Sequence, residues 1–279
     1  MGYLLLGVLC STLIAVIMRL STEHVRANFG MLAMNYAICS ALAALHIGSD
    51  GLFPAAEGLG RAAGLGVLGG ALFLASLLLL QYNTAKNGVV LTNVFMKLGL
   101  LVPIALSTLF FGESMRQVQG VGFLLAVAAI LLSSSSGGAI KKLRVNWQLL
   151  LLLLASGAAD VMAKVYAHFG APSLSDQFLF YNFGAAMLFG AALMLAKGQR
   201  PGRAEVFFGL LVGVPNFYSS RFLLKALESV PAVIAYPTYS VSTLLLVSLA
   251  GVMLFKEKLQ KNQWQAVALI LCALVLLNI

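Results

Sequence analysis

Charge is scarce in this chain. Asp, Glu, Lys and Arg together make up 10% of its 279 residues, less than half the share of an average soluble domain. That scarcity excludes a globular protein with a fully hydrated surface. Cysteine is also rare: Cys10, Cys39 and Cys272 lie inside apolar runs at unrelated spacings, which excludes a disulfide framework and leaves them as small core residues. The three histidines, His24, His46 and His168, sit near the ends of apolar runs and show no metal-ligand spacing, so no metal is expected. Gly64 through Gly70 has no Gly-Lys-Ser ending, which excludes a nucleotide-binding loop. The net charge of +9 comes without a basic patch interleaved with aromatics, so nucleic acid is not the partner. No basic segment precedes the first apolar run, and it has no small-residue cleavage site, so it reads as a mature span.

What is present is apolar. Hydrophobic residues reach 61% and the mean hydropathy is +0.96. The apolar stretches are long enough to cross a bilayer as helix. Ten spans are expected, at about 2–20, 29–47, 62–81, 88–111, 117–135, 147–168, 177–197, 206–228, 230–254 and 264–279. The connections are short and leave no room for a soluble domain. Small-residue pairs such as Gly66-x-x-x-Gly70 and Gly122-x-x-x-Ala126 let helix backbones approach and read as packing.

The chain is also written twice. Phe111-Gly112-Glu113 is matched, at an offset of 144, by Phe255-Lys256-Glu257, and the run Gly120–Leu132 by Gln265–Leu277 one residue further on. Gly69 and Phe73 match Gly213 and Phe217 at the offset of 144. The expected division is 1–135 as a first five-helix repeat, 136–146 as a basic connecting loop and 147–279 as a second repeat. An odd number of spans sends the second copy into the membrane from the opposite side, so the expected fold is an all-α integral membrane protein of two inverted repeats. In such folds the working site lies where the copies meet.

Basic residues in the connections are lopsided. About eleven follow the odd-numbered spans, among them Arg26, Lys86, Lys141, Lys142, Arg144, Arg200, Arg203, Lys256, Lys258 and Lys261; about three, Arg61, Arg116 and Lys225, lie on the other face. The positive-inside rule makes the odd connections cytoplasmic and both termini extracytoplasmic, in the cell (inner) membrane. Trp147 and Trp264 begin spans on the basic face, as interfacial anchors do.

Chemistry must come from polar groups that cost free energy to place in a membrane, and these form ordered faces. Ser156, Asp160 and Lys164 recur every four residues in the sixth span. The first span repeats the stripe as Ser11, Ala15 and Arg19, so Asp160 is the added group. The ninth span carries Tyr236, Tyr239, Ser240 and Thr243 on one face, and the fourth carries Asn93 and Lys97 four apart. The eighth offers Asn216, Tyr218 and Arg221 just after Pro215. These eleven residues, Asp160 to Thr243 with Asn93 and Lys97, are the expected substrate contacts. Each has a plainer reading. Asp160 serves equally well to neutralise Lys164 or Lys97, Arg221 is near enough to its span's end to snorkel, and the tyrosines serve as packing with bonded hydroxyls. Asn35 and Asn182, in the second and seventh spans, read as interhelical glue.

Ten spans, a five-helix duplication, and a Phe-x-Glu closing each fourth helix before a small-residue fifth resemble the drug/metabolite transporter superfamily, EamA type. The resemblance implies a basket of spans 1–4 and 6–9 braced by spans 5 and 10, with the substrate cavity between the repeats. Pro103 and Pro237 are 134 apart instead of 144, a departure from equivalent prolines in spans 4 and 9. The expected function is secondary transport by alternating access. Lys97, Lys164 and Arg221 against Asp160 leave +2, which favours a substrate carrying a carboxylate or phosphate; with Asp160 receiving an amine, an amino acid or other zwitterion fits best and an organic anion next. The rival readings are a drug or organic-cation exporter with Asp160 as counter-ion and the tyrosines as a π surface, and a lipid-linked flippase or accessory subunit. No catalytic constellation converges on one face, so no enzyme and no cofactor is expected. The expected partners are a small-molecule substrate and membrane lipid, with a proton as candidate coupling ion and a monomer as the working assembly.

Overall fold

The computed structural model describes residues 1–48, 51–87, 89–133, 146–256 and 260–279. Among these the chain is helical, with no strand: α1 Gly2–Ser21, α2 Asn28–Ile47, α3 Leu59–Asn87, α4 Val89–Lys97, α5 Leu101–Phe110, α6 Gln117–Ser133, α7 Trp147–Phe169, α8 Ser175–Ala196, α9 Arg203–Leu227, α10 Ala232–Phe255 and α11 Lys261–Asn278. Eight helical segments are long and apolar enough to cross a membrane, one of them the stretch Leu91–Phe110 that joins α4 to α5. α6 is apolar but shorter, and α11 opens on the polar turn Lys261-Asn262-Gln263. The protein is therefore an integral, multi-pass membrane protein. Lys141, Lys142, Arg144, Glu257 and Lys258, with nearly all of the basic connection 136–146, lie outside the described residues.

Two helices depart from their expected course for identifiable reasons. The fourth span is not one helix: a 3-10 turn over Leu98–Leu100 separates α4 from α5. Pro103 has no N–H to donate to the Gly99 carbonyl, so the ladder is interrupted just there. α3 runs on past the expected end at 81, through Gln81, Tyr82 and Asn83. Its polar last turns find partners, because the Asn83 amide donates to the Leu79 carbonyl at 2.8 Å and the Gln148 carbonyl at 3.1 Å.

By internal packing the chain forms two units, Met1–Leu74 with Met162–Glu228, and Ala75–Val161 with Ser229–Ile279. Each draws on both halves of the sequence. This is a division by packing, whereas the repeats are a division by sequence.

In the first unit α2 lies against both α8 and α9, and α1 lies against α9. The approaches are close because the contact positions are glycines. A Cβ added at Gly213 would stand 2.8 Å from the Asn35 carbonyl, and one at Gly66 would stand 2.8 Å from that of Phe178. The Gly66-x-x-x-Gly70 pair is thus a packing seam against α8. Tyr36, Tyr166, Phe178, Phe183 and Phe217 fill the space around it.

In the second unit α6 and α11 pack along Ala126, Ala129, Ile270 and Ala273. Cys272 falls off that stripe and is exposed on α11, so it is not the core residue expected; Cys39 is fully buried. Glu113 of the Phe-x-Glu sequence accepts the Val233 N–H at 3.1 Å in the first turn of α10. A carboxylate there satisfies an orphan donor and complements the helix dipole. Trp147 and Trp264 are both exposed at the starts of α7 and α11.

Candidate functional site

The expected site residues separate between the two units. In the second unit, α4 presents Asn93 and Lys97 one turn apart, and both side chains are exposed while Val94 and Phe95 between them are buried. α7 presents Asp160, also exposed, between the buried Ala159 and Val161. Among the described residues, neither the Lys97 ammonium nor the Asp160 carboxylate has an ion-pair or hydrogen-bond partner. Asn93 and Lys97 lie within the apolar stretch Leu91–Phe110, Lys97 as the last residue of α4, and Asp160 lies near the middle of α7.

The backbone beside these charges is fastened. Ser156, one turn before Asp160, shares its single hydroxyl proton between the Leu153 carbonyl of its own helix at 3.1 Å and the Met96 carbonyl of α4 at 3.3 Å. Next to that contact the 3-10 turn between α4 and α5 touches α7 through glycines: a Cβ on Gly157 would land on the Gly99 carbonyl and on Val102, and one on Gly99 would land on the Ser156 hydroxyl. On the other side, the Tyr236 hydroxyl of α10 donates to the Asp160 carbonyl at 2.7 Å. Tyr236 is only 4% exposed, so its ring serves packing and its hydroxyl serves α7, the plainer of the two readings its spacing permits. Tyr239, Ser240 and Thr243 are half-buried on the same helix, and the Thr243 hydroxyl has no hydrogen-bond partner among the described residues.

In the first unit Arg221 and Asn216 are bonded to other polar side chains. Arg221 forms a two-pronged ion pair with Asp176, Nε to Oδ1 at 2.9 Å and Nη2 to Oδ2 at 2.8 Å, with both side chains about one-fifth exposed. Asp176 was not among the expected residues, and with it Arg221 drops out of the unpaired charge. The Asn216 amide donates to Asn35 Oδ1 at 3.2 Å, and the Cys39 thiol donates to the Gly213 carbonyl at 3.3 Å. Lys164 is buried, and Tyr218 is half-buried against His46 and Phe222. The Asn182 Oδ1 faces Gly69 without a hydrogen bond among the described residues.

Sequence reasoning also passed over Glu205. Its carboxylate accepts the backbone N–H groups of Arg26 at 2.8 Å, Ala27 at 3.1 Å and Gly202 at 2.9 Å, tying the α1–α2 connection to the start of α9. The signal was available, because Gly202-x-x-Glu205 ahead of an apolar run has the spacing of a capping box. Asp176 had a signal too: an acid opening one span and a base closing the next lie at the same membrane face.

Comparison with known proteins places this geometry in a context. Residues 144–279 match the model of the EamA-like transporter family. An uncharacterized protein of Haemophilus influenzae is 25% identical over 195 residues, which is 67% of this chain and 65% of that relative, just under two thirds of its length. A crystal structure shares 15% identity with a TM-score of 0.73, over 99% of this chain and 96% of that one. At that identity the likeness concerns the fold.

Proposed function

We propose that this chain is a member of the EamA-like transporter family, whose model matches its residues 144–279, and that it is a secondary transporter of a small polar metabolite, an amino acid or other zwitterion or organic anion. A membrane transporter is what the family assignment carries by itself. The substrate reading rests on one observation: Asn93, Lys97 and Asp160 are exposed on apolar helices of one unit, and the two charges have no partner among the described residues. An ionised group facing lipid costs about 2.5–3.5 kcal/mol on insertion scales. Exposed, unpaired charges of both signs therefore mark a face that meets water and substrate.

In this reading Lys97 receives a carboxylate, Asp160 an amine, and Asn93 a further polar group, with Tyr239, Ser240 and Thr243 of α10 completing the wall. Arg221, Asn216, Tyr218 and Lys164 hold helices in the first unit. The sequence duplication supports two inverted five-helix repeats with alternating access. The excess of basic residues after odd spans supports extracytoplasmic termini, which a reporter fused after Ile279 tests by its activity outside the cytoplasm.

The cation-exporter reading loses one of its two rings, because Tyr236 is buried and its hydroxyl engaged, and keeps Tyr239. The deciding measurement is uptake of labelled amino acids, simple carboxylates and quaternary cations into proteoliposomes. Saturable uptake of the first class is expected. Transport of quaternary cations alone would sink the proposal.

A further inference from the structure

Lys97 and Asp160 sit on different helices, so their separation is only as definite as the joint between α4 and α7. That joint is bonded beside Lys97, and α7 is bonded to a third helix, α10, at Asp160. Ser156 reaches the carbonyl of Met96, the residue before Lys97. Tyr236 reaches the carbonyl of Asp160 itself. Between them, Gly99 and Gly157 bring the two backbones into contact where Pro103 has broken the fourth span. Ser156 and Asp160 are one turn apart, about 6 Å along α7. α4, α7 and α10 are thus fastened at three points within roughly one helical turn of the two charges.

The Tyr236 bond is not required to satisfy the carbonyl it touches. Within α7 the Asp160 carbonyl already lies opposite the N–H four residues on, and a carbonyl has a second lone pair to spare. The hydroxyl therefore adds a crosslink to a helix that could do without it, at the residue carrying the site's acid. Precise placement of a binding group depends on such supporting bonds.

We propose that Tyr236 and Ser156 are positioning residues: they fix the separation of the Lys97 ammonium and the Asp160 carboxylate, so the site selects substrates by the distance between their own opposite charges. The proposal rests on the assignment of Lys97 and Asp160 to the substrate site. It reassigns Tyr236 from substrate contact to support, and it adds Ser156. A site with a fixed span accepts one charge spacing well. Neighbouring homologues, in which added methylenes push the ammonium away from the carboxylate, fit it progressively worse.

The test uses the full chain in proteoliposomes and a series of unbranched amino acids running from the α-amino to the ω-amino position. Wild type is expected to show a sharp optimum along the series in both KM and kcat. Tyr236→Phe removes one oxygen and keeps the ring, and Ser156→Ala removes the other crosslink. Each is expected to flatten the ratio between best and worst homologue by about tenfold or more, since a misplacement near 1 Å is worth up to a hundredfold. The thermal midpoint should be little changed. If both variants keep the wild-type length profile while uptake falls equally for every homologue, the bonds are merely structural and the proposal is wrong. If wild type takes up no amino acid or carboxylate, the site assignment falls first and the positioning role falls with it.

Discussion

In the first unit the Arg221 guanidinium grips Asp176 with both of its prongs, the Asn216 amide is spent on Asn35, and Glu205 holds three backbone N–H groups. In the second, the Lys97 ammonium and Asp160 carboxylate stand exposed with no such partner among the described residues. The residue types are similar, and both sets lie on helices that are otherwise apolar. The difference is in what each charge does for the fold. A paired group contributes specificity of packing, and breaking it leaves a partner stranded. An exposed group with no partner among the described residues adds nothing to packing, and in a membrane helix it is by default a candidate for binding something polar.

The comparison predicts its largest effects for the two exposed charges of the second unit, Lys97 and Asp160. Lys97→Met should leave expression and thermal midpoint near wild type and abolish uptake of acidic and zwitterionic substrates. Among the described residues the side chain bears no internal bond, so none of them is stranded by its loss. Normal transport by this variant, measured in proteoliposomes, would remove the anion-binding role and the contrast with it. Asp160→Asn comes next in size. It should weaken amino-acid binding by about tenfold or more, equivalent to about 1.4 kcal/mol, while simple carboxylates change less. A loss that is equal for both ligand classes would mean that Asp160 acts on Lys97 and not on the substrate amine.

How much of this was legible in the sequence depends on whether the cue was local. The helical rods were, because apolar runs bounded by polar turns determine them. The break between α4 and α5 was half legible: Pro103 is plain to see, but its effect is felt at Leu98–Leu100, toward the N-terminus. The extension of α3 was not, since Asn83 is polar and its partner Gln148 is 65 residues away. Helical spacing singled out Asn93, Lys97 and Asp160 as candidates because each stands out against an apolar background. The same spacing grouped Tyr236 with Tyr239, Ser240 and Thr243, yet periodicity cannot say whether a hydroxyl faces a ligand or the backbone of α7. The Phe-x-Glu sequence was recognised as a signature, while what Glu113 binds became visible only with Val233 beside it.

The ion pair tests the other half of the comparison. Arg221→Met should lower stability by about 1–3 kcal/mol, between the values for exposed and buried pairs because both groups are about one-fifth exposed. Removing both partners, Arg221→Met with Asp176→Leu, should recover most of the loss, because no charge is then stranded. Detergent-solubilised thermal denaturation of the three variants measures this as a double-mutant cycle. Substrate selectivity should stay at the wild-type pattern in all three. A changed substrate preference in the double variant would place Arg221 at the substrate after all.

Asn216 gives the smallest effect and the finest distinction. Its position just after Pro215 made it an expected substrate contact, while its bond to Asn35 at 3.2 Å makes it a strut between α9 and α2. Interhelical hydrogen bonds in membranes average about 0.6 kcal/mol, because the separated helices find other partners. Asn35 would not be wholly abandoned, since the Cys39 thiol lies 3.8 Å from its Oδ1. Asn216→Ala should therefore cost about 0.6 kcal/mol in thermal denaturation and leave KM for every transported substrate within about twofold of wild type, a ratio worth less than 0.5 kcal/mol. The matching change Asn93→Ala, at an exposed amide in the second unit, should do the reverse: little effect on stability and a clear rise in KM. If the two asparagines exchange these behaviours, then exposure and bonding are the wrong guides to function here, and the division between the holding unit and the binding unit fails.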